Sequence, residues 1–164
     1  MTNPTKVATV ASIRQTEFEE FAREARERLM PVLVARYGVD VAADVCADAL
    51  AYAWEERSRL DAMENPVGYL YRVAQTAARR HRRWSRHPEF PVEHAMPIAD
   101  VEPGLHDALR HLRPDHRVAV VLIHAYGWTY QEVADVSGVP VSSVRNHLHR
   151  GMKSLRKHLG VSDG

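Results

Sequence analysis

Between Ser142 and Lys153 the chain gathers side chains able to read a nucleic acid: Ser142, Ser143, Arg145, Asn146, His149, Arg150 and Lys153. The forked guanidinium of Arg145 can pair with both major-groove acceptors of guanine. The Asn146 amide can do the same with adenine, and the serines can bond to bases or phosphates. From Val136 to Gly160 there are five Lys or Arg and no Asp or Glu, so no acid on this stretch opposes a phosphate backbone. A second basic stretch, Tyr69 to His87, holds six Arg and no acid, with Tyr69, Tyr71 and Trp84 interleaved. Such a run suits the negative end of a helix; with aromatic rings among it, it also suits a single strand held by charge and stacking. A third cluster is acidic: Asp40, Asp44, Asp48 and Glu55 fall on one side of a helical pattern. Like charges four apart weaken a helix by a few tenths of a kcal/mol. The stripe therefore answers a basic partner or serves solubility alone, and the residues leave both open.

The elements that position these groups are helical. Thr129 followed by Glu132 is a capping-box spacing, so a helix is expected from Tyr130, with Val133, Ala134 and Val136 apolar. Ser137-Gly138 stops it, because glycine accepts the left-handed conformation that ends a helix. Pro140 is expected in the first turn of a second helix, which carries Val144, Leu148 and Leu155 inward. A short helix, a glycine turn and a basic second helix make a helix-turn-helix, whose second helix enters the major groove. The plainer alternative is a helical hairpin with a solvated basic face.

Upstream, Thr16 to Glu19 has capping-box spacing ahead of Phe18, Phe21, Ala22, Ala25 and Leu29, with a loose tail expected before it and Pro31 expected to kink or end the helix. Asp40 to Arg57 reads as a two-faced helix with Cys46, Ala49, Leu50, Ala53 and Trp54 inward. Arg57 to Glu64 reads as a loop, and Asn65-Pro66 as the cap and first turn of the next helix. Prolines 88, 91, 97 and 103 mark a semi-rigid linker. Leu105, Leu109 and Leu112 then give a short helix. Pro114 opens another, with Val118, Val121, Leu122 and Ala125 inward, packing under the helix-turn-helix. The expected fold is all-α: two small helical domains, 14–87 and 104–160, joined by a Pro-rich linker over 88–103.

At 164 residues and net charge +1, length allows one ordinary domain or two small ones, and bulk charge points to no partner. A single cysteine, Cys46, excludes an internal disulfide and a thiolate-rich zinc site, and suits a reducing cytoplasm. The longest apolar run, Val118 to Ile123, is too short to span a bilayer, and no secretory signal is read at the start. The ten histidines form no HExxH motif. His106, His111 and His116 are five apart and diverge around a helix, so neither metal nor cofactor is implied.

These residues together resemble the bacterial RNA polymerase sigma factors of the short, two-domain extracytoplasmic-function type. Pro114, Arg117, Leu122, Gly127, Tyr130, Glu132, Ala134, Gly138, Val144, Leu148, His149 and Arg150 match the pattern of region 4. Ala42 to Val45 through Trp54, then Asn65-Pro66 through Ala74, look like region 2. The resemblance implies a promoter-specificity subunit rather than an enzyme, in which core polymerase supplies catalysis. Region 4 would read the −35 element through the recognition-helix residues named above. Region 2 would melt and hold the −10 element through Arg72, Thr76, Arg79, Arg80, Arg82 and Arg83. Asp44 and Asp48 would dock on the polymerase clamp helices, with the polymerase flap as a second contact, and the Arg57–Glu64 loop would take a flipped −10 base. Implied partners are core RNA polymerase and promoter DNA, with an anti-sigma protein as a further candidate and no membrane. The chain departs from the family pattern at Ala43, Ala47 and Asp48, at Thr76 where an Asn is common, and at His147 and Met152. The rival readings are a helix-turn-helix regulator that binds an operator as a dimer, and an adaptor that binds polymerase without directing initiation.

Overall fold

The computed structural model describes residues 4–81 and 104–161, with side chains from residue 15. The expected linker over 88–103, Arg82, Arg83 and Trp84 lie outside the described residues. Helix α1 runs Pro4–Tyr37. This corrects three expectations. The chain before Thr16 is helical from Pro4 and not a loose tail, the Thr16 spacing is therefore no cap, and Pro31 does not end the helix. An interior proline costs about 3 kcal/mol through a lost hydrogen bond and a clash. Around it Leu29, Val32 and Leu33 are fully buried, and that burial outweighs the defect.

Gly38, at φ 85°, turns the chain into α2, Val39–Glu55. This helix buries Ala42, Val45, Cys46, Ala49 and Ala53, small residues that let it lie close to its neighbours. Trp54 was expected among them but is 43 % exposed. At about 100° per residue it falls about 80° round from Cys46, at the margin of the buried stripe. There its ring meets Phe18 edge-on at 4.9 Å, and the Arg57 guanidinium covers it at 4.7 Å. A short helix α3, Arg57–Leu60, occupies the expected loop. Helix α4, Pro66–His81, starts as its sequence suggests: the Gly68 N–H donates to Asn65 Oδ1 at 2.9 Å.

After the undescribed stretch come α5, Leu105–His111, and α6, Pro114–Val120. A π-helical turn, Val121–Ala125, extends α6. The extra residue in that turn shifts the register. Leu122 stays fully buried, while Val121 is only half-buried and Ala125, expected inside, is exposed. Helices α7, Tyr130–Ser137, and α8, Val141–Leu159, form the helix-turn-helix, with Gly138 at φ 66° between them. Pro140 caps α8 rather than entering its first turn.

One core runs through both halves. Ala25, Leu29 and Leu33 of α1 and Tyr71 of α4 belong to the same buried cluster as Val118, Leu122, Val133, Val136 and Val144. A smaller cluster of Ala108, Leu112, Val120 and Leu155 ties α5 and α6 to α8. The two helical halves are thus packed on one another, where the sequence left the angle between them open. Arg117 sits at the junction, 7 % exposed. It donates to the carbonyls of Ala35 at 2.6 Å and Arg36 at 2.7 Å, and to those of Arg110 at 3.4 Å and Leu112 at 3.3 Å in its own half.

Candidate nucleic-acid interface

The start of α7 is held by a reciprocal cap. The Glu132 N–H donates to Thr129 Oγ1 at 3.2 Å, and the Thr129 N–H donates to Glu132 Oε2 at 2.7 Å. The backbone and hydroxyl donors of Thr129 hold the Glu132 carboxyl below its ordinary range. With the folded-state pKa depressed, this contribution is present above the ordinary value of 4.5 and fades as pH falls below it. Thr129→Ala should cost about 1 kcal/mol. Thermal unfolding followed by circular dichroism should then show a midpoint lower by about 2–4 °C.

On α8 the buried positions Val144, Gly151 and Leu155 define the inward side. Ser142, Arg145, Asn146, His149, Arg150 and Lys153 are exposed and Ser143 is half-buried. At about 100° per residue these seven cover an arc of about 160° opposite that side. Among the described residues, the whole predicted recognition set therefore lies on one outward face of α8. The structure adds two residues the sequence reading missed. Tyr130 and Arg156 line a shallow groove with Arg145, His149 and Lys153, and the Arg145 guanidinium lies over the Tyr130 ring at 5.6 Å. Arg156 falls within the same arc and could have been found by extending it. Tyr130 reaches the groove across the turn, which helical spacing cannot reveal. His147 is not on this face: it turns toward His116, with ring centroids 5.8 Å apart.

On α4, Arg72, Thr76, Arg79 and Arg80 are all exposed and share an arc of about 100°. The Thr76 hydroxyl is engaged on its own helix, donating to the Arg72 carbonyl at 3.1 Å. Beside this helix, the Tyr52 and Tyr69 hydroxyls lie 3.0 Å apart, and Arg59 sits 5.7 Å from the Tyr69 ring. A cleft of about 420 Å3 opens between α1, α3 and the start of α4. It is lined by Phe18, Phe21, Leu60, Met63 and Pro66, with Arg57 and Asp61 at hand. Asp44 and Asp48 are exposed on α2, as expected, but not unaccompanied. His81 of α4 reaches them, with Nε2 3.2 Å from Asp48 and Nδ1 4.0 Å from Asp44.

The chain is 32 % identical over 159 residues to the RNA polymerase sigma factor CarQ of Myxococcus xanthus, covering 89 % of this chain and 91 % of that one. It belongs to the sigma-70 family, in its extracytoplasmic-function group. The family model "Sigma-70, region 4" matches residues 104–155. The ECF RNA polymerase sigma factor SigM of Mycobacterium tuberculosis is 30 % identical over 163 residues, 93 % of this chain and 82 % of that one. In fold the chain is similar to the sigma factor RpoE solved in complex with the anti-sigma factor NepR from Bartonella quintana. That likeness has a TM-score of 0.62 at 20 % identity and covers 90 % of this chain and 99 % of that one. This sigma factor is a promoter-specificity subunit, with core RNA polymerase and promoter DNA as partners; the reading as a stand-alone operator-binding dimer is not favoured. Among the described residues no helix is long and apolar enough to cross a membrane, and no group of three or more His, Cys, Asp or Glu is placed to hold a metal ion.

Proposed function

We propose a division of labour for this sigma factor in which residues 14–87 act as region 2, 88–103 connect, and 104–160 act as region 4. Helix α8 enters the major groove of the −35 element. Arg145 and Asn146 address base edges, Ser142 and Ser143 stand at the helix start, and His149, Arg150 and Lys153 meet bases or phosphates. The outward arc of α8 is the observation that carries this reading. It holds every predicted contact, and the only charges on it are basic.

In region 2 the arginines of α4 hold phosphates of the melted non-template strand, and the cleft beside α3 takes one unstacked base among Phe18, Phe21 and Met63. Asp44 and Asp48 dock on the clamp helices of core polymerase, which supplies all the catalysis. His81 lies on that acidic pair and is displaced or shared when the clamp binds. An anti-sigma protein that occupies the same surfaces would keep the chain off polymerase.

Run-off transcription with core enzyme and a pool of random promoters tests the whole reading: a defined −35/−10 pair should emerge. A chain that binds core enzyme but yields no transcript would be an adaptor instead. Arg79→Gln with Arg80→Gln should weaken promoter binding with little sequence dependence. It should also reduce the slope of log affinity against log salt by about one to two.

A further inference from the structure

The acidic pair on α2 is not presented bare. Asp44 and Asp48 stand one turn apart on that helix, and like charges at this spacing repel. The His81 ring of α4 reaches both, with Nε2 3.2 Å from Asp48 and Nδ1 4.0 Å from Asp44. Among the described residues it is the one side chain able to carry positive charge that pairs with either acid. Both carboxylates are acceptors, so the ring answers both only as the imidazolium, with a proton on each nitrogen.

The contact is open to exchange. The Asp44 and Asp48 side chains remain 67 % and 53 % exposed, so a partner can approach the same two carboxylates from solvent. An ion pair this exposed stabilises a fold little. Nor is it needed to hold α2 against α4. Ala42, Val45 and Ala49 of α2 lie in one buried cluster with Ala74, Ala77 and Ala78 of α4. The two helices therefore keep their places when the imidazole lets go.

We infer that His81 is an internal stand-in for the cationic groups that the acidic pair meets on the polymerase clamp. It occupies Asp44 and Asp48 in the free chain and leaves them when the clamp docks. It thereby sets the affinity of this sigma factor for core enzyme below what the two acids alone would give. His81 is thus a positioning residue that acts through the acids rather than a contact of its own. The inference rests on the assignment of Asp44 and Asp48 to the clamp. A site closed by its own chain binds more weakly in proportion to the fraction of time it stands open. For a pair this exposed that fraction is about one-half to one-fifth, which makes the competition about two- to fivefold.

The test uses the full-length chain and purified core polymerase. Affinity is read by competition against a fluorescently labelled wild-type chain, and folding by thermal unfolding. His81→Ala should tighten core binding about two- to fivefold. Its unfolding midpoint should fall by about 1–2 °C, because the repulsion between Asp44 and Asp48 is then unrelieved. A merely structural role would weaken both. His81→Gln keeps a neutral donor and should tighten binding by less; it carries the test should the alanine variant not fold. His81→Arg leaves a permanent cation on the pair and should weaken core binding. With Asp44→Asn and Asp48→Asn together, core binding should fall, and adding His81→Ala should change nothing further. Tightening by His81→Arg overturns the inference, as does a gain from His81→Ala that survives without the two acids. If the double asparagine variant binds core enzyme as well as wild type, the clamp assignment itself fails. If the acids matter and neither His81→Ala nor His81→Gln tightens binding, only the stand-in fails.

Discussion

Arg117→Met is expected to lower the unfolding midpoint by about 5–10 °C. Four backbone carbonyls lose a donor: Ala35, Arg36, Arg110 and Leu112. The bonds to Ala35 and Leu112 are buried and those to Arg36 and Arg110 part-buried; a buried acceptor left unpaired costs about 1–3 kcal/mol, so the loss approaches about 4 kcal/mol. Against this stands the relief of a buried charge. Burial, with the Arg36 charge beside it, pulls the Arg117 guanidinium down to about 10. It is still protonated at neutral pH, but it is held at a desolvation cost that methionine does not carry. Roughly 2–3 kcal/mol remains, because methionine fills the stem and none of the hydrogen bonds. Differential scanning calorimetry checks it. An unchanged midpoint would mean that water replaces the guanidinium at the α1 terminus.

The second large effect is on recognition. Arg145→Ala should weaken binding to the preferred −35 element by about 1–3 kcal/mol, roughly 5- to 150-fold, and relax the preference at one base pair. The side chain is exposed and rests over Tyr130, so its fork is partly ordered before DNA arrives and less freedom is lost on binding. Tyr130→Leu should therefore reduce affinity by a smaller factor without relaxing the base preference. Competition binding against a set of single-base variants separates the two. Should Arg145→Ala preserve both affinity and preference, the base contact is made elsewhere on the arc.

Local sequence carried the helix-turn-helix almost completely. The Thr129–Glu132 cap, the stop at Gly138 and the inward side at Val133, Val136 and Val144 each depend on residues within a turn or two of one another. So does the exposed arc from Ser142 to Lys153, because helical periodicity alone assigns it. Where local signals competed with burial, they misled. Thr16 has the spacing of a cap and Pro31 that of a break, yet α1 passes through both because Leu29, Val32 and Leu33 are buried around the proline. Trp54 is large and apolar but stands at the margin of its stripe, where Phe18 and Arg57 receive it in place of the core.

The amino-acid sequence by itself determined that this is a two-part helical chain, with a basic face on its last long helix, an arginine face on α4 and an acidic face on α2. Only the tertiary structure decided that the two parts share a core, that Arg117 joins them through carbonyls 81 and 82 positions away, and that His81 rests on Asp44 and Asp48. The physical reason is range. Periodicity and capping record what neighbours along one helix do. Which carbonyl meets which guanidinium across two helices depends on how whole faces pack, and no spacing within either segment encodes that.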